Sequence, residues 1–434
     1  MERICIVGLG YIGLPTAALA AQHFTIIGVD IDSAKREAIA ARACPYDEPE
    51  LQKSLNSALD ARRLHVSACV LAADTYIIAV PTPFYEDKTA DLRAVYGAID
   101  SVLPVLAAGG CIIIESTIPV GTTRAVGAYI QEKTGLRAGT DIFIAHAPER
   151  VLPGNIMHEL IYNDRIIGGL TRACVDRAKQ FYKPFVRGAL YLTDAESAEL
   201  VKLVENSSRD VALAFAYQVA SMARAIERNP HDIIELANKH PRVNILRPTV
   251  GVGGHCIAVD PWFLIQTFSE QTHLLRAARM INDEQPQHCI EMIQTERARW
   301  KEQLGREPRL ALLGITYKPD VEDIRESPAL SIARAITTQY PNHTLVYDPH
   351  AASVAGFAMA PSLQYVLEHA DALVVLVAHR VFKQALTQIA SKPLLDLCAL
   401  AHQPKISFDG EYRFWPAQRD VLPREPKQEQ LCAK

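Results

Sequence analysis

Near its N-terminus the chain reads Arg3-Ile4-Cys5-Ile6-Val7-Gly8-Leu9-Gly10-Tyr11-Ile12-Gly13, and the expected architecture follows from this segment. The residues before Gly8 form an apolar run typical of a strand buried on both faces, and a helical pattern extends over residues 14–21. Glycines spaced G-x-G-x-x-G between a strand and a helix are typical of a dinucleotide-binding turn, where the backbone approaches a pyrophosphate at the helix N-terminus. The alternative is a glycine turn with a structural role alone.

A second apolar run, residues 25–29, ends in Asp30. An acid at this place in a dinucleotide-binding unit accepts hydrogen bonds from the adenosine ribose, and its charge repels a 2′-phosphate. The turn and the acid together predict NAD rather than NADP as the cofactor. The residues expected to hold it are Gly8, Gly10, Gly13 and Asp30.

The alternation of strands and helices continues with buried strands predicted at residues 75–80 and 111–115. Both strands run into loops that carry prolines and hydroxyl groups, and ligands bind at such strand ends in open parallel sheets. Thr82 and Thr117 are therefore candidate NAD contacts. Ordinary helix capping is the alternative, because it is common for threonine.

A further strand, residues 141–146, leads into a loop that contains Glu149-Arg150 between two prolines. An acid and a base lie side by side at the edge of the sheet where Thr117 is expected. We interpret them as site residues; an exposed charged turn is the alternative.

Residues 194–228 contain almost no glycine or proline and are apolar around much of the predicted helix. Such a helix between two α/β units is typical of a domain connector that also forms a subunit interface. Within it Lys202, Asn206 and Arg209 share one face because they follow i, i+4, i+7 spacing. A solvated polar stripe is the alternative for these three.

The loop at residues 251–261 contains a cysteine, Cys256, after a run of glycines and four positions before a carboxylate, Asp260. Glycines let a backbone come close to a small ligand, and a thiol placed there is a candidate nucleophile. A buried cysteine inside a glycine-rich turn is the alternative.

A second α/β pattern begins near residue 309, with strands predicted at 309–314, 344–347 and 372–377. Its first turn lacks the dinucleotide fingerprint, so this unit is expected to bind something other than a second dinucleotide. The sequence therefore predicts an α/β protein with two Rossmann-like, doubly wound parallel-sheet domains joined by a long central helix and a helical dimerisation region. The expected bounds are 1–193, 194–303, 304–416, and 417–434 for a polar tail.

Composition excludes several classes of protein. A net charge of −4 over 434 residues offers no basic footprint for nucleic acid. No apolar run approaches the roughly 18 residues of a membrane span, and no signal peptide is visible, so we expect a cytoplasmic protein without membrane contact. Nine cysteines without paired spacing argue against a disulfide framework or a zinc site, and no metal is expected.

Several motifs together resemble the nucleotide-sugar 6-dehydrogenases, the family of UDP-glucose dehydrogenase, and the resemblance covers nearly the whole chain. Those motifs are Gly8 to Gly13, Glu115-Ser116-Thr117-Ile118-Pro119-Val120-Gly121, Pro148-Glu149-Arg150, Lys202 through Asn206, Gly253-Gly254-His255-Cys256 with Asp260, Lys318-Pro319-Asp320, and Arg325-Glu326-Ser327-Pro328.

The cysteine loop is most similar to the branch that acts on UDP-N-acetylhexosamines. Within that branch, four segments are most similar to enzymes that act on the mannosamine epimer: residues 149–154, 163–169, 242–246 and 258–263. UDP-N-acetylglucosamine or UDP-glucose is the alternative substrate. The chain departs from the wider family at Ser208 and at Thr249-Val250, which flank the site. A non-catalytic homologue would show a broken motif, and Lys202, Asn206, Cys256 and Asp260 are all in place.

The resemblance implies two oxidations of the C6 alcohol to a carboxylate through a thiohemiacetal and a thioester on Cys256, for surface polysaccharide synthesis. A nearby cation or backbone dipole is expected to lower the pKa of that thiol. Lys202 would donate and accept a proton at the sugar oxygen and, together with Asn206, steady the charge that develops there. Asp260 and Glu149 would position or activate the waters that take up the C6 proton and cleave the thioester, and Thr117 would hold such a water. The implied NAD contacts are Tyr11, Ile12, Thr117 and Arg325. The implied substrate contacts are Arg150, Val151, Lys202, Asn206, Arg209, His240, Arg242, Gly253, Tyr317 and Lys318.

Two further expectations concern histidines. His240 and Arg242 are expected to reach a neighbouring subunit of a homodimer or a higher homo-oligomer. His255 is expected to make a structural hydrogen bond rather than to bind a metal.

Overall fold

The computed structural model describes residues 2–46, 48–151, 154–254, 256–351, 353–356 and 358–401. They form a larger, mostly parallel sheet and a smaller parallel sheet, with a helical region between them along the chain. The strands of the larger sheet are β1 (Arg3–Val7), β2 (Thr25–Val29), β3 (Leu64–Ser67), β4 (Thr75–Ile78), β5 (Cys111–Ile114), β6 (Phe143–His146), β7 (Arg165–Gly169) and β8 (Leu190–Asp194). The helices that cover them are α1 (Gly13–Ala20), α2 (Ser33–Ala40), α3 (Pro49–Asp60), α4 (Arg93–Val102), α5 (Thr122–Thr134), α6 (Ile156–Tyr162) and α7 (Arg172–Tyr182).

The larger sheet has the order β3-β2-β1-β4-β5-β6-β7-β8. Its first six strands are parallel and follow the order of dinucleotide-binding sheets. β7 runs antiparallel to β6, and β8 pairs parallel with β7. The sheet therefore confirms the predicted Rossmann unit and adds a reversed pair of strands at the edge from which the central helix begins.

Alternate residues of β1 enter cores on opposite faces of this sheet. Ile4 and Ile6 belong to one buried cluster, Cys5 and Val7 to the other. Side chains alternate along a strand, so a strand covered on both faces has to be apolar throughout. Each fully buried aliphatic side chain of this kind contributes about 1.5–3 kcal/mol.

The central region is helical: α8 (Ala195–Ala225), α9 (Pro230–Ala237), α10 (Asp260–Thr267) and α11 (His273–Leu304). Asp194 begins α8 as an N-cap, with its carboxylate 2.8 Å from the Ser197 amide. α9 begins in the same way with Asn229 as N-cap, followed by Pro230 in the first turn. The long helix predicted over residues 194–228 is present as α8.

The smaller sheet contains β9 (Leu310–Leu313), β10 (Thr344–Tyr347), β11 (Ala372–Val375) and β12 (Leu394–Asp396) in the order β10-β9-β11-β12, all parallel. Its helices are α12 (Pro328–Gln339), α13 (Leu363–His369), α14 (Arg380–Gln384) and α15 (Leu386–Ile389). The two-sheet α/β architecture is thus confirmed. The predicted polar tail, 417–434, lies outside the described residues. Among the described helices, none is both long and apolar enough to cross a membrane.

Candidate active site

The three glycines of the first turn meet three different steric demands. Gly8 has φ +95°, and a Cβ there would lie 2.4 Å from the Ala79 carbonyl oxygen. A Cβ on Gly13 would lie 1.8 Å from the carbonyl oxygen of Gly8, so the helix could not approach the turn. Gly10 has no atom within 4 Å of its Cβ position. The open side of the turn at Gly10 fits the approach of a pyrophosphate.

Asp30 lies directly after β2 and braces this turn. Its carboxylate accepts hydrogen bonds from the amides of Leu9 (2.9 Å) and Asp32 (3.0 Å) and from Lys35 Nζ (3.0 Å). Burial raises the pKa of Asp30, but these hydrogen bonds outweigh burial and hold that pKa below its ordinary value. The acid is therefore ionised and fits the ribose of NAD. Beside it, the ring of Tyr11 lies 4.2 Å from that of Tyr46, and Ile12 is the N-cap of α1.

The smaller sheet also has an acid after its second strand, but that acid has a different hydrogen-bond partner. Asp348 follows β10 as Asp30 follows β2, and it accepts from the amide of Ile315, next to Gly314 with φ +90°. Its carboxylate also faces His379 Nε2 at 3.1 Å, and that histidine is fully buried. A fully buried histidine thus bonds Asp348 where the partly exposed Lys35 bonds Asp30, so the second acid is held by a different partner in a turn that lacks the dinucleotide fingerprint.

The loops after β4 and β5 are tied together and to the central helix. Thr82 Oγ1 donates to the carbonyl of Thr117 at 2.6 Å. Glu199 of α8 accepts from the amides of Gly121 (2.6 Å) and Thr123 (2.7 Å), which caps α5 from another element. Thr82 and Thr117 thus lie together at the expected strand ends, and their contact with NAD stays a prediction. Glu199 was not predicted, because no local pattern marks a carboxylate that caps a distant helix.

Lys202, Asn206 and Asp260 meet between α8 and α10. Asn206 Nδ2 donates to Asp260 Oδ2 at 2.5 Å, and Lys202 is only 8% exposed. Burial raises the pKa of Asp260 to about 6, while the nearby charge of Lys202 and the hydrogen bond from Asn206 lower it. A solvated polar stripe is therefore the wrong interpretation for Lys202 and Asn206. Arg209, the third residue of that helix face, is exposed to solvent. A carboxyl that titrates near neutral pH beside an ammonium group is suited to proton transfer.

Cys256 lies at the start of the turn that leads into α10. Its carbonyl oxygen accepts from the amides of Val259 (3.0 Å) and Asp260 (2.9 Å). Burial raises the pKa of the Cys256 thiol to about 11; the charge of Asp260 also raises it, and those of Lys202 and Arg325 lower it. The expectation of a lowered pKa is therefore wrong for this state, because burial outweighs the cations. The thiol is neutral and needs a base to become a nucleophile.

The glycines before Cys256 let its loop lie against the C-terminal unit. A Cβ on Gly253 would lie 2.6 Å from the Pro328 ring, and one on Gly254 would lie 2.9 Å from the Tyr317 ring. Burial raises the pKa of Tyr317 to about 12, and Cys256 is among the groups close enough to affect it. Gly253 and Tyr317 are therefore brought together beside Cys256, as a shared site requires. His255 lies outside the described residues.

Glu149 is held in one orientation by two donors. Its Oε1 accepts from the Arg150 amide at 2.7 Å, and its Oε2 accepts from Arg165 of β7. The side chain of Glu149 is 8% exposed, so an exposed charged turn is wrong for this residue. Arg165 was not predicted as a site residue, although it lies inside one of the motifs that carry the resemblance.

Arg150 and Val151 follow Glu149 on the same loop. Arg150 Nη1 lies 2.7 Å from Glu205 of α8, and Arg150 lines a cleft with Asp164 and Tyr191. Val151 is half-buried against the core of the larger sheet. The guanidinium of Arg150 thus spans the gap between the loop and the central helix.

Arg325 and Lys318 lie on the loop that faces the NAD turn. Arg325 forms a paired contact with Asp323, and its charge and that of Asp323 both affect the pKa of Tyr11. Burial lowers the pKa of Lys318, although nearby acids, Asp323 first, oppose that effect. The position of Arg325 near Tyr11 fits its predicted reach toward NAD.

His240 and Arg242 are exposed, and the Arg242 amide lies 3.4 Å from His240 Nδ1. Within the described part of the chain, no hydrogen bond or ion pair joins either residue to the Cys256 loop. Their contribution to a neighbouring subunit stays a prediction.

One group of potential metal ligands exists among the described residues: Asp320, His350 and His379, whose ligand atoms lie within 4.8 Å of one another. His379 Nδ1 already accepts from the Asp320 amide at 3.0 Å, and His379 Nε2 faces Asp348. The buried histidine thus joins the loop after β9, through Asp320, to the end of β10, through Asp348.

His146, the last residue of β6, is a buried group that sequence reasoning passed over. Its Nδ1 lies 2.8 Å from the Ile114 carbonyl, and its Nε2 has no hydrogen-bond partner. Burial lowers the pKa of His146 to about 3, and the charge of Lys202 lowers it further. The ring is therefore neutral and cannot act as an acid near pH 7.

A dinucleotide turn braced by an acid, with a buried thiol, carboxyl and ammonium group close to one another, defines an NAD-dependent oxidoreductase. Three regions match, in order, the NAD binding domain (residues 2–186), the central domain (196–284) and the UDP binding domain (311–410) of the UDP-glucose/GDP-mannose dehydrogenase family. The chain belongs to this family.

Its relatives match over almost their whole length. UDP-N-acetyl-D-mannosamine dehydrogenase of Yersinia pestis is 41% identical over 397 residues, 88% of this chain and 94% of the relative. NDP-N-acetyl-D-galactosaminuronic acid dehydrogenase of Ralstonia solanacearum is 41% identical over 408 residues, 91% of this chain and 95% of the relative. The solved structure of the UDP-D-ManNAc dehydrogenase of Pyrococcus horikoshii has a TM-score of 0.84 at 37% identity and covers 94% of this chain and 98% of that one.

Proposed function

We propose that this chain oxidises C6 of UDP-N-acetyl-D-mannosamine to the carboxylate, for synthesis of a surface polysaccharide. The observation that carries the reaction is the cluster of buried Lys202 and Asp260 with half-buried Asn206 and Cys256. Tyr317 lies close enough to be affected by the charges of both Cys256 and Tyr11 of the NAD turn. The mannosamine substrate is supported by relatives of that name that match most of the chain.

The balanced reaction consumes one alcohol, two NAD⁺ and one water, and it yields one carboxylate, two NADH and three protons. NAD, when bound, accepts one hydride from C6 in each oxidation. The glycine turn and Asp30 hold the cofactor, because the turn leaves room for phosphates and the acid is ionised. Tyr11, Ile12, Thr82, Thr117 and Arg325 complete the proposed NAD contacts.

Lys202 and Asn206 steady the negative charge that develops on the C6 oxygen, because both present N–H donors from adjacent turns of α8. Asp260 accepts the proton that the alcohol loses and passes it to water. Cys256 then attacks the aldehyde carbon, and the thiol proton moves to the former aldehyde oxygen, which becomes the hydroxyl of the thiohemiacetal. Since burial keeps the thiol neutral, we assign this proton transfer to Asp260 through a water; the second oxidation then releases the hydroxyl proton by the same route.

The second oxidation leaves a thioester on Cys256, and water must cleave it. Water attacks the carbonyl carbon, its proton passes to Glu149, and the bond to sulfur breaks with release of the Cys256 thiolate. Glu149 suits this task because its two donors fix its orientation and each oxygen keeps a lone pair for the water. General bases of this kind typically contribute about 10²–10⁴-fold to the rate.

The nucleotide sugar lies between the central region and the C-terminal unit. Its proposed contacts are Arg150, Val151, Arg209, Gly253, Tyr317 and Lys318, with His240 and Arg242 from a second subunit. We assign NAD binding to residues 1–193, the helical connector to 194–303 and UDP-sugar binding to 304–416. Because the proposed cofactor and substrate are both nucleotides made in the cytoplasm, we place the reaction there.

A homodimer or a higher homo-oligomer is supported by apolar side chains that α8 and α9 leave exposed. The most exposed among them are Val204, Phe215, Met222, Ile226 and Leu236. Several large apolar side chains left exposed on neighbouring helices are typical of a protein interface. Sedimentation velocity tests the proposal, and a monomer at micromolar concentration would contradict it.

The substrate is tested with a panel of purified UDP-sugars and NADH formation as the readout. We expect UDP-N-acetyl-D-mannosamine to give the highest kcat/KM, with two NADH per uronate. UDP-N-acetylglucosamine, UDP-glucose and UDP-N-acetylgalactosamine are the comparison substrates. If one of them is turned over much faster, the mannosamine proposal is wrong.

A further inference from the structure

A second layer of buried charge lies behind Glu149. Arg165 donates through Nη2 to Glu149, and its Nη1 lies 3.3 Å from Glu115 Oε1. The same Glu115 oxygen accepts from the Tyr182 hydroxyl at 2.7 Å, and the Arg165 guanidinium lies 4.4 Å from the centroid of the Tyr182 ring. The side chains of Arg165 and Glu115 are 5% and 0% exposed. One buried cation therefore joins two carboxylates.

The other oxygen of Glu115 extends this cluster toward the NAD turn. Glu115 Oε2 and Thr16 Oγ1 of α1 are both buried and face each other without a hydrogen bond of good geometry. The groups around Glu115 are thus Arg165 from β7, Tyr182 from α7, Thr16 from α1 and the charge of Glu149.

The charges of the cluster do not cancel when every member is ionised. Two carboxylates and one guanidinium leave a net charge of −1 in a buried region, which is costly. Burial raises the pKa of Glu115 to about 7; Arg165 lowers it and Glu149 raises it. Glu115 therefore takes up the proton that neutralises the cluster, and Arg165 keeps its contact with Glu149.

We propose that Arg165 and Glu115 are positioning residues for Glu149, which set the orientation of its carboxylate in thioester hydrolysis. This inference rests on the proposed function of the site. The planar guanidinium of Arg165 is already held by Glu115 and by the Tyr182 ring. It therefore fixes both the position and the direction of the hydrogen bond that it donates to the Glu149 carboxylate. An apolar filling of the same space would usually be at least as stable, so stability alone does not account for three buried charges.

The first test is Arg165→Lys, which keeps the charge but removes the fork. We expect kcat to fall about 10–100-fold, within the range that a displaced general base loses, with KM for the sugar changed less than about threefold. In a stopped-flow experiment the variant should still release two NADH per site in a fast phase, followed by slow turnover. Arg177→Lys is the matched control, because Arg177 forms a comparable pair with Glu2 (2.6 Å) elsewhere in the same sheet unit.

The second test is Glu115→Gln, which preserves size and the hydrogen bond from Tyr182. In the native enzyme the hydrolytic rate is expected to change through a step near pH 7, because loss of the Glu115 proton leaves Arg165 shared between two carboxylates and alters its hold on Glu149. The variant should lack this step and keep the one that Asp260 causes near pH 6. If Arg165→Lys fails to bind NAD, the pH dependence of Glu115→Gln alone tests whether the cluster positions Glu149.

Two results would overturn the proposal. One is an Arg165→Lys enzyme with the kcat and the burst of the native enzyme; the other is a Glu115→Gln enzyme that keeps the step near pH 7. Failure of the proposed function gives a different result, since the native enzyme itself would then form no NADH with any sugar of the panel.

Discussion

Replacement of Asp260 by asparagine should make the protein more stable while it abolishes turnover. Asp260 is 2% exposed, and burial raises its pKa from 3.8 to about 6. The difference between the two values corresponds to about 3 kcal/mol, which is the cost of keeping the carboxyl ionised in the folded state. Asparagine has the same shape and no charge, so Asp260→Asn removes this cost.

The pH dependence gives the sign of the effect. Below about pH 3.8 the carboxyl is protonated in both states and costs nothing. Between pH 3.8 and about 6 the folded state keeps its proton while the unfolded state loses it, so stability falls as the pH rises. Above pH 6 the full cost is present. The gain of Asp260→Asn should therefore approach about 3 kcal/mol at pH 8 and be much smaller at pH 4.

Native-state hydrogen exchange of the amides of α10 is the suitable assay, because a chain of this length need not unfold in one step. Asp60→Asn is the control, since Asp60 is 65% exposed in a surface pair with Arg42 and should change stability by less than about 1 kcal/mol at either pH. A variant that is less stable than the native protein at pH 8 would refute the reasoning. So would an equal gain at pH 4 and pH 8.

The remaining predictions concern the thiol and the NAD turn. Cys256→Ser should abolish uronate formation and leave NAD affinity within about twofold, as measured by product chromatography and calorimetry; a normal uronate yield would contradict the covalent route. Alkylation of Cys256 by iodoacetamide, followed by mass spectrometry of its peptide, should accelerate about tenfold per pH unit from pH 7 to pH 10, because the thiol pKa is about 11. A plateau near pH 8 would show that the resting thiol is already ionised. Gly13→Ala should weaken NAD binding at least about tenfold, since its Cβ would lie 1.8 Å from the Gly8 carbonyl oxygen.

The parts of the fold that the sequence predicted are those with local causes. β1 and the glycine turn were recognisable because a strand that is buried on both faces must be apolar and a turn of this shape requires glycine. The reversed pair β7 and β8 was not predicted, because strand direction depends on long-range pairing rather than on composition. The proximity of Thr82 and Thr117 was predicted from topology alone, because each follows a parallel strand at the same edge of the sheet.

The site was predictable where a motif carried it. Lys202, Asn206, Asp260 and Cys256 all came from motifs, and their roles stay predictions. The pKa of Cys256 was mispredicted because burial by distant segments, which sequence spacing does not reveal, outweighs its two nearby cations. Arg165, Glu199 and His146 were missed for the same reason, since each acts through a partner on another element.

Asp30 and Asp348 occupy equivalent positions in the two sheets, and the difference between their partners is useful for redesign of the enzyme. Both follow the second strand of a Rossmann-like sheet, yet only Asp348 is bonded to a fully buried histidine. Replacement of His379 by a small apolar residue would leave Asp348 with a free lone pair beside the turn after β9, which already has a left-handed glycine, Gly314. The C-terminal half would then be one step closer to accepting a ribose. Gain or loss of one buried hydrogen-bond partner is thus a simple way in which two Rossmann-like sheets can differ in the ligand they accept.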